Sequence, residues 1–426
     1  MIPLAWDEVA ELDLGEHRGA PADGVVRRVH ADSREARPGD LFVALNAGVQ
    51  YVEDALARGA AALVPRDQEE TLAALASLVR SRSRARIVAV VGSTGKTSTK
   101  DALGALCAAV TPTVFPSGSL NNEIGLPLTV LGLEPDTDVL VAEMGMRGLG
   151  QIAALCRIAP PVVTLVSSIG PEHLELVGTV ADVARANAEA IDALPAGGVA
   201  VVPDGVPELE AFLQRSDIAV RRFDPTTVER AGDRWRFVVS GGAVELELPF
   251  DQRHLAGNVL GALEAYDALG LPLDRAQEGA AAIRHSPWRG EVHELPGGGL
   301  VVNDAYNANP TSMRAALLDL TERAAGRRRV AVLGEMAELG EASAGYHEEI
   351  GQLVGELGIE AVAGVGEAGR AYLAHAAGEA RWIPGAEAFA DVVGMVRAGD
   401  AVLVKASRAV GLEGIAALIA KSARAW

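Results

Sequence analysis

The chain has 426 residues, 49% of them apolar and 4% aromatic, with a formal net charge of −19. That length accommodates about three domains of ordinary size, and an acidic balance with no basic face argues against a protein that tracks a nucleic-acid backbone. The two cysteines, Cys107 and Cys156, stand in no CxxC pair or metal spacing. The first residues lack the basic and apolar regions of a signal peptide, and no run of about 18 uncharged apolar residues offers a membrane span, so a cytoplasmic chain is expected.

In chain order, residues 1–84 read as a small α/β unit. Val25 to His30, Leu41 to Ala44 and Ala61 to Val64 are expected strands, and Glu69 to Arg82 has helical spacing before a linker at Ser81–Arg84. A second unit, 85–286, opens on the apolar run Arg86–Val91. A helix from Thr97 to Ala109 follows, then strands at Val139–Ala142, Val162–Val166 and Val199–Val202 with helical segments between them. That alternation implies βαβ units and a parallel sheet. A hairpin is expected at Trp235–Val239 and Ala243–Leu248 around Gly241-Gly242, then helices at His254–Leu269 and Leu273–His285. The third unit, 287–426, carries strands at Leu300–Asn303, Val330–Leu333, Ala361–Val365 and Ala401–Val404, consistent with a second, smaller doubly wound sheet. The fold class is therefore α/β in three domains: a small α/β N-terminal domain, a central P-loop parallel-sheet domain and a Rossmann-like C-terminal domain.

The chemistry gathers at strand ends. Gly92-Ser93-Thr94-Gly95-Lys96-Thr97-Ser98 joins a buried strand to a helix, so backbone N–H groups and the helix N-terminus favour anionic oxygens. Lys96 supplies a cation for the β/γ-phosphates of ATP, and Thr97 a hydroxyl for Mg²⁺. Lysine occurs only at positions 96, 100, 405 and 421, so surface charge is met by arginine and each surviving lysine calls for a specific reason. Glu143 closes another strand at the ligand-binding edge and is a candidate magnesium ligand, the alternative being a solvated strand-end acid. His173, in Gly170-Pro171-Glu172-His173-Leu174-Glu175, is a candidate for a second metal ion or a structural hydrogen-bonder. Asn121-Asn122-Glu123 either caps a helix or holds substrate or phosphate. In the third unit Asp304-Ala305-Tyr306-Asn307-Ala308-Asn309-Pro310 and Lys405-Ala406-Ser407-Arg408 both follow strands, where a dense polar run suits a ligand better than a fold.

Taken in this order, the motifs resemble the Mur ligases, ATP-dependent enzymes that add amino acids to the UDP-muramoyl precursor of the bacterial cell wall. Asp32-Ser33-Arg34 and Pro38-Gly39-Asp40-Leu41-Phe42 look like the motif that holds the UDP-sugar. Glu143 and His173 fall on the family's magnesium positions, His254 and Asn258 on its HNxxN motif, and Arg289 on its interdomain arginine. Asp304–Met313, Leu333–Gly340 and His347 are similar to the branch that adds D-alanyl-D-alanine to UDP-N-acetylmuramoyl-tripeptide. The resemblance implies an acyl-phosphate route with Lys96, Glu143 and His173 catalytic. Nucleotide would be held by Gly92–Ser98, Asn258, Arg289, Asp304 and Asn307, and substrate by Ser33, Arg34, Asn121, Asn122, Lys405 and Ser407. It also implies a monomer working in cell-wall precursor synthesis; a sibling ligase adding a single amino acid, or a homologue that binds nucleotide without catalysis, are the alternatives.

Several positions depart from the family pattern. The lysine that the family carbamylates near its second metal is Asn187 here, which leaves three readings: Asn187 coordinates or positions water, a nearby acid such as Glu189 contributes, or activity is weak or unusual in its metal use. The DGHxF motif is missing, with Ala47–Tyr51 across a shortened loop. Leu255 replaces an asparagine, Ala406 a glycine, and Glu335 a commoner aspartate.

Overall fold

A computed structural model describes residues 1–385 and 389–423. The central sheet has six parallel strands in the order Ala219–Phe223, Val199–Pro203, Val163–Val166, Arg86–Val91, Val139–Glu143, Thr113–Val114. The strand Arg86–Val91, buried from Ile87 onward, lies between Val163–Val166 and Val139–Glu143. The chain leaves it first toward one side of the sheet and later returns on the other. That reversal opens a crevice at the carboxyl ends of the strands, and the loop after Val91 sits in it.

The helix Lys96–Ala108 leaves this crevice and is buried at every residue from Thr97 to Cys107. It packs against Arg253–Ala268 and the short helix Ala276–Ala280. The expected helix Leu273–His285 is shorter: Leu273–Arg275 is a 3₁₀ turn, and α-helix runs only from Ala276 to Ala280. Close approach is the reason for Gly279, since a Cβ there would lie 2.4 Å from Leu106 Cα. The hairpin is present as Arg234–Val239 and Gly242–Leu246, joined by Glu229–Ala231 in a separate three-stranded sheet. Its turn residues are Ser240-Gly241, because Gly242 pairs with Val239.

The N-terminal unit carries a four-stranded sheet ordered Gly15–Arg18, Ala61–Pro65, Leu41–Val43, Val29–His30. The expected single strand Val25–His30 is two, with Val25–Val26 pairing instead with Leu4–Ala5. Helix Gln68–Ser81 buries Leu72, Leu75 and Val79 in the same apolar core as Ile87, Leu126, Val130 and Leu140. The two units thus share one core across the Ser81–Arg84 segment, and Ile2 N–H bonds Leu133 C=O at 2.6 Å.

The C-terminal sheet is ordered Glu291–Leu295, Gly299–Asn303, Ala401–Lys405, Arg329–Leu333, Ala361–Val365, Glu379–Ile383, with only the first pair antiparallel. It has six strands, as many as the central sheet, so the expectation of a smaller one fails. Two cores, one on each face, enclose it. No helix among the described residues is long and apolar enough to cross a membrane. Replacing Gly279 by Val forces a side chain into the Lys96–Ala108 backbone, and should cost about 1–3 kcal/mol; thermal unfolding followed by circular dichroism should show a lowered midpoint.

Candidate active site

The phosphate loop is clamped from behind by the segment following Val163–Val166. Ser93 N–H donates to Ser168 C=O at 2.8 Å, Thr94 N–H to Ser168 Oγ at 2.9 Å, and Ser167 Oγ–H to Thr94 C=O at 2.8 Å. Two glycines here have no alternative. Gly92 has φ +125° and a Cβ on it would meet Ser167 Oγ at 2.4 Å; Gly95 has φ +87° and would meet Asn258 Oδ1 at 2.7 Å. The first turn of Lys96–Ala108 therefore presents free N–H groups and the positive end of the helix dipole to the crevice.

This crevice belongs to a cavity of about 1210 Å³ whose wall combines central and C-terminal residues. Of the residues expected at the site, Ser93–Ser98, Asn121, Asn122, Glu143, His173, Asn258, Arg289, Asp304, Asn307, Lys405 and Ser407 all line it, as does His254. Gly92 does not: its N–H is bonded to Asn187 Oδ1 and its carbonyl to the Lys96 ammonium. Ser33 and Arg34 lie apart in the N-terminal unit. Arg34 faces a separate cavity of about 440 Å³ with Arg28, His30, Arg37 and Arg58. There its guanidinium pairs with Asp32 at 2.6 Å and holds that carboxyl down at about 2. Ser33 is buried, outside that lining.

Glu143 is the last residue of its strand and 1% exposed. Its Oε1 accepts from Ser119 Oγ–H at 2.7 Å and Asn121 Nδ2–H at 2.8 Å, while its buried Oε2 has no partner among the described residues. A carboxylate oxygen stripped of water and left unpaired is costly, and fits a site made for a hard cation. Asn122 lines the cavity too, and its Oδ1 accepts from the N–H of Gly125, the first residue of helix Gly125–Val130, at 2.9 Å.

Lys96 Nζ donates to Ser93 C=O at 3.3 Å and lies 3.1 Å from Glu172 Oε1. Glu172 in turn stands 3.2 Å from His173 Nε2, and His173 Nδ1 bonds Glu338 from the C-terminal domain. Burial opposes protonation of His173, but the two carboxylates outweigh it and raise its pKa above the ordinary imidazole value. Glu172 and Glu338 were not singled out from sequence; each stands inside a motif that was quoted, but spacing does not say which acid meets Lys96 or His173. Lys405, which also lines the cavity, is the last residue of its strand, is 2% exposed, and bonds Asp304 Oδ2 at 2.6 Å and Asn307 C=O at 2.9 Å.

The two domains meet across the cavity at defined points. Asn309 Nδ2–H donates to Thr94 Oγ at 2.8 Å while its Oδ1 caps helix Pro310–Ala324 through Ser312 N–H. Arg289 donates to Thr97 Oγ1 at 2.9 Å and stacks on Tyr306 with its guanidinium 3.9 Å from the ring centre. Ser407 Oγ accepts from Ala337 N–H at 2.9 Å and donates to Ala308 C=O, and His347 Nε2 accepts from Met336 N–H at 2.9 Å. These bonds fix the loops that carry Asp304, Glu338 and Lys405 to one another.

Asn187 and Glu189 are both committed elsewhere. Asn187 Nδ2–H donates to Val183 C=O at 2.9 Å, so its amide is satisfied at both ends. Glu189 accepts from Gly150 N–H at 2.5 Å and Ala153 N–H at 2.9 Å, at the start of helix Gln151–Ile158. Both side chains are thus held by the protein itself, Asn187 behind the phosphate loop and Glu189 at the start of helix Gln151–Ile158.

The His285 ring, at the entry to the interdomain segment, has both nitrogens sealed and unpartnered among the described residues. Burial lowers its pKa to about 4. Because the folded value lies below the unfolded one of 6.5, its neutral form favours the fold above pH 6.5, and that contribution is lost as pH falls toward 4. Stability measured by denaturant titration should fall through this window, and His285→Phe should flatten the fall by up to roughly 3 kcal/mol.

The sequence matches the Mur ligase middle domain over residues 90–266 and the Mur ligase glutamate ligase domain over 288–408. It is 32% identical to the UDP-N-acetylmuramoyl-tripeptide–D-alanyl-D-alanine ligase of Escherichia coli (strain K12), with 97% of each chain covered. It is 30% identical to the Bacillus subtilis (strain 168) enzyme of the same name, with 97% of this chain and 98% of the other covered. Among solved structures, MurF from Acinetobacter baumannii superposes with a TM-score of 0.85 at 26% identity, covering 98% of this chain and 99% of that one. MurF ligase from Thermotoga maritima in complex with ADP gives 0.78 at 27% identity, covering 94% and 98%.

Proposed function

The chain belongs to the Mur ligase family, and on that premise we propose that it joins D-alanyl-D-alanine to UDP-N-acetylmuramoyl-tripeptide, with ATP converted to ADP and phosphate. The observation that carries this reading is the single cavity in which the phosphate loop faces Asp304, Asn307 and Lys405 of the C-terminal domain. Of the motifs that distinguish the dipeptide-adding branch, Asp304–Met313 contributes most of its residues to that wall, and Leu333–Gly340 contributes Ala337 and Glu338.

In this mechanism the terminal carboxylate of the tripeptide takes the γ-phosphoryl group of ATP, forming an acyl phosphate and ADP. The amine of D-alanyl-D-alanine attacks the acyl carbon, and the tetrahedral intermediate expels phosphate. Phosphoryl transfer between two anions is chiefly a matter of position and charge. Lys96 supplies positive charge by exchanging Glu172 for the phosphates. The N–H groups of Gly95 to Ser98 hold phosphate oxygens, and Arg289 lies where it can follow charge developing on the nucleotide. Asn258, against Gly95, and His254 shape the adenine side.

Glu143, with its unpaired Oε2, and the Thr97 hydroxyl fit Mg²⁺, which when bound would offset phosphate charge. His173 is the second candidate ligand: with Nδ1 held by Glu338, it would hold a cation through Nε2, the nitrogen that faces Glu172. Closure through Thr94–Asn309 keeps water from the acyl phosphate. The N-terminal cavity beside Arg34, lined by four arginines and a histidine, suits the UDP end of the substrate. We place the protein in the cytoplasm as a monomer; its buried free thiols, Cys107 and Cys156, both raised by burial to about 12, suit that compartment.

The test is ADP formation from UDP-N-acetylmuramoyl-tripeptide with and without D-alanyl-D-alanine. Dipeptide-dependent ligation is expected, and a free diamino acid should not replace the dipeptide; no dipeptide-dependent product at any Mg²⁺ concentration overturns the reading. Lys96→Arg should lower kcat by about a hundredfold or more, because the bulkier planar group cannot reproduce a point charge in the loop. Glu143→Gln should shift the Mg²⁺ dependence of the rate to higher concentration while leaving the fold intact, as read by circular dichroism.

A further inference from the structure

Asn187 lies in the helix Val180–Asp192, is 2% exposed, and is absent from the cavity wall, yet it reaches the first residue of the phosphate loop. Its Oδ1 accepts from Gly92 N–H at 2.6 Å, across 95 positions of sequence. The opposite side of Gly92 is held by Lys96, whose ammonium bonds the Gly92 carbonyl. The two grips differ in kind. Lys96 has to exchange partners to serve a phosphate, whereas Asn187 is locked by its second bond, to Val183 C=O at 2.9 Å. Gly92 itself offers no resistance to rearrangement, since its φ of +125° is one that glycine alone enters and leaves freely. Ser167 bars any side chain there that might stiffen it.

We propose that Asn187 is a positioning residue for ATP: its neutral amide holds the Gly92 peptide so that the loop keeps its phosphate-accepting shape while Lys96 changes partners. A neutral group does this without adding a negative charge behind a loop whose Lys96 already faces Glu172. The inference rests on the assignment of Gly92–Ser98 to ATP, and it applies to binding rather than to the chemical step.

Two substitutions separate the two bonds of this amide. Asn187→Ser retains a hydroxyl that can bond the Val183 carbonyl one turn back but is too short for Gly92. Asn187→Asp retains an acceptor for Gly92 N–H but loses the donor to Val183. Site-resolved amide hydrogen exchange on the whole protein without added ligand should show Gly92 exchanging at least about tenfold faster in Asn187→Ser and near the wild-type rate in Asn187→Asp. In steady-state assays Asn187→Ser should raise KM for ATP about tenfold, with kcat and KM for D-alanyl-D-alanine changed less than threefold. Wild-type Gly92 exchange in Asn187→Ser overturns the proposal, as does a fall in kcat and melting temperature with KM for ATP unchanged. Failure of the ligase assignment would show differently: the wild-type protein would give no dipeptide-dependent product, while the Gly92 exchange pattern and ADP affinity, measured by calorimetry, would still report on Asn187.

Discussion

One helix has to be buried along its length and open at its start, and much of the molecule is organised around that requirement. Lys96–Ala108 is enclosed from Thr97 to Cys107, including polar residues that water would otherwise satisfy. Lys100, with no exposed surface, is met by Asp101 and by the carbonyls of Pro116 and Gly118 at 2.6 and 3.0 Å. Asp101 also receives Ser286 N–H and Oγ–H at 3.2 and 3.0 Å, where the chain leaves for the C-terminal domain. Such a buried network is tolerable only when each member is paired. The N-terminal N–H groups are left open, because a cap there would occupy the place of a phosphate, and Thr99 Oγ1 is a further buried group without a partner among the described residues. The same helix therefore serves as the floor of the proposed nucleotide site and as the anchor of the interdomain segment.

The charges facing the cavity are balanced internally. Lys96 stands against Glu172, Lys405 against Asp304, and His173 between Glu172 and Glu338. Each pair brings a cation to where an anionic substrate is to bind, together with a carboxylate that can give it up. The scarcity of lysine acquires a physical reason here. Three of the four lysines sit at the nucleotide helix or the cavity, where a compact point charge fits a tight loop and a planar guanidinium does not.

How much of this was legible in the sequence varies with the kind of contact. The strands ending at Val91, Glu143, Leu333 and Lys405 are continuous apolar runs because both faces of a parallel sheet are covered; their ends, and hence the placing of Lys96, Glu143 and Lys405, follow. Edge strands escaped notice. Gly15–Arg18, Ala219–Phe223 and Glu291–Leu295 carry Arg, Glu and His on their open sides and lack that signature. The Ala-rich stretch after Leu273 has helical composition, but it breaks where Gly279 must sit on Leu106. At the site, what could not be read was pairing. Glu338 meets His173 over 165 positions, and nothing local in either motif announces the other. Asn187 was noticed as a departure from a pattern, but its work on Gly92 became visible only when the helix was placed behind the loop.

The continuity of the core between the first two units sets the modularity of the protein. Helix Gln68–Ser81 and helix Gly125–Val130 pack as one interior, and the amino terminus is tied to Leu133. The buried residues on both faces of the C-terminal sheet, by contrast, are its own, with Leu174 of the central unit packed against one of them. Recombination between relatives is therefore asymmetric. A crossover near Pro287 exchanges a body that brings its own interior, whereas one near Arg84 cuts through packed side chains and yields a viable chimera only when both sides of that interior are inherited together.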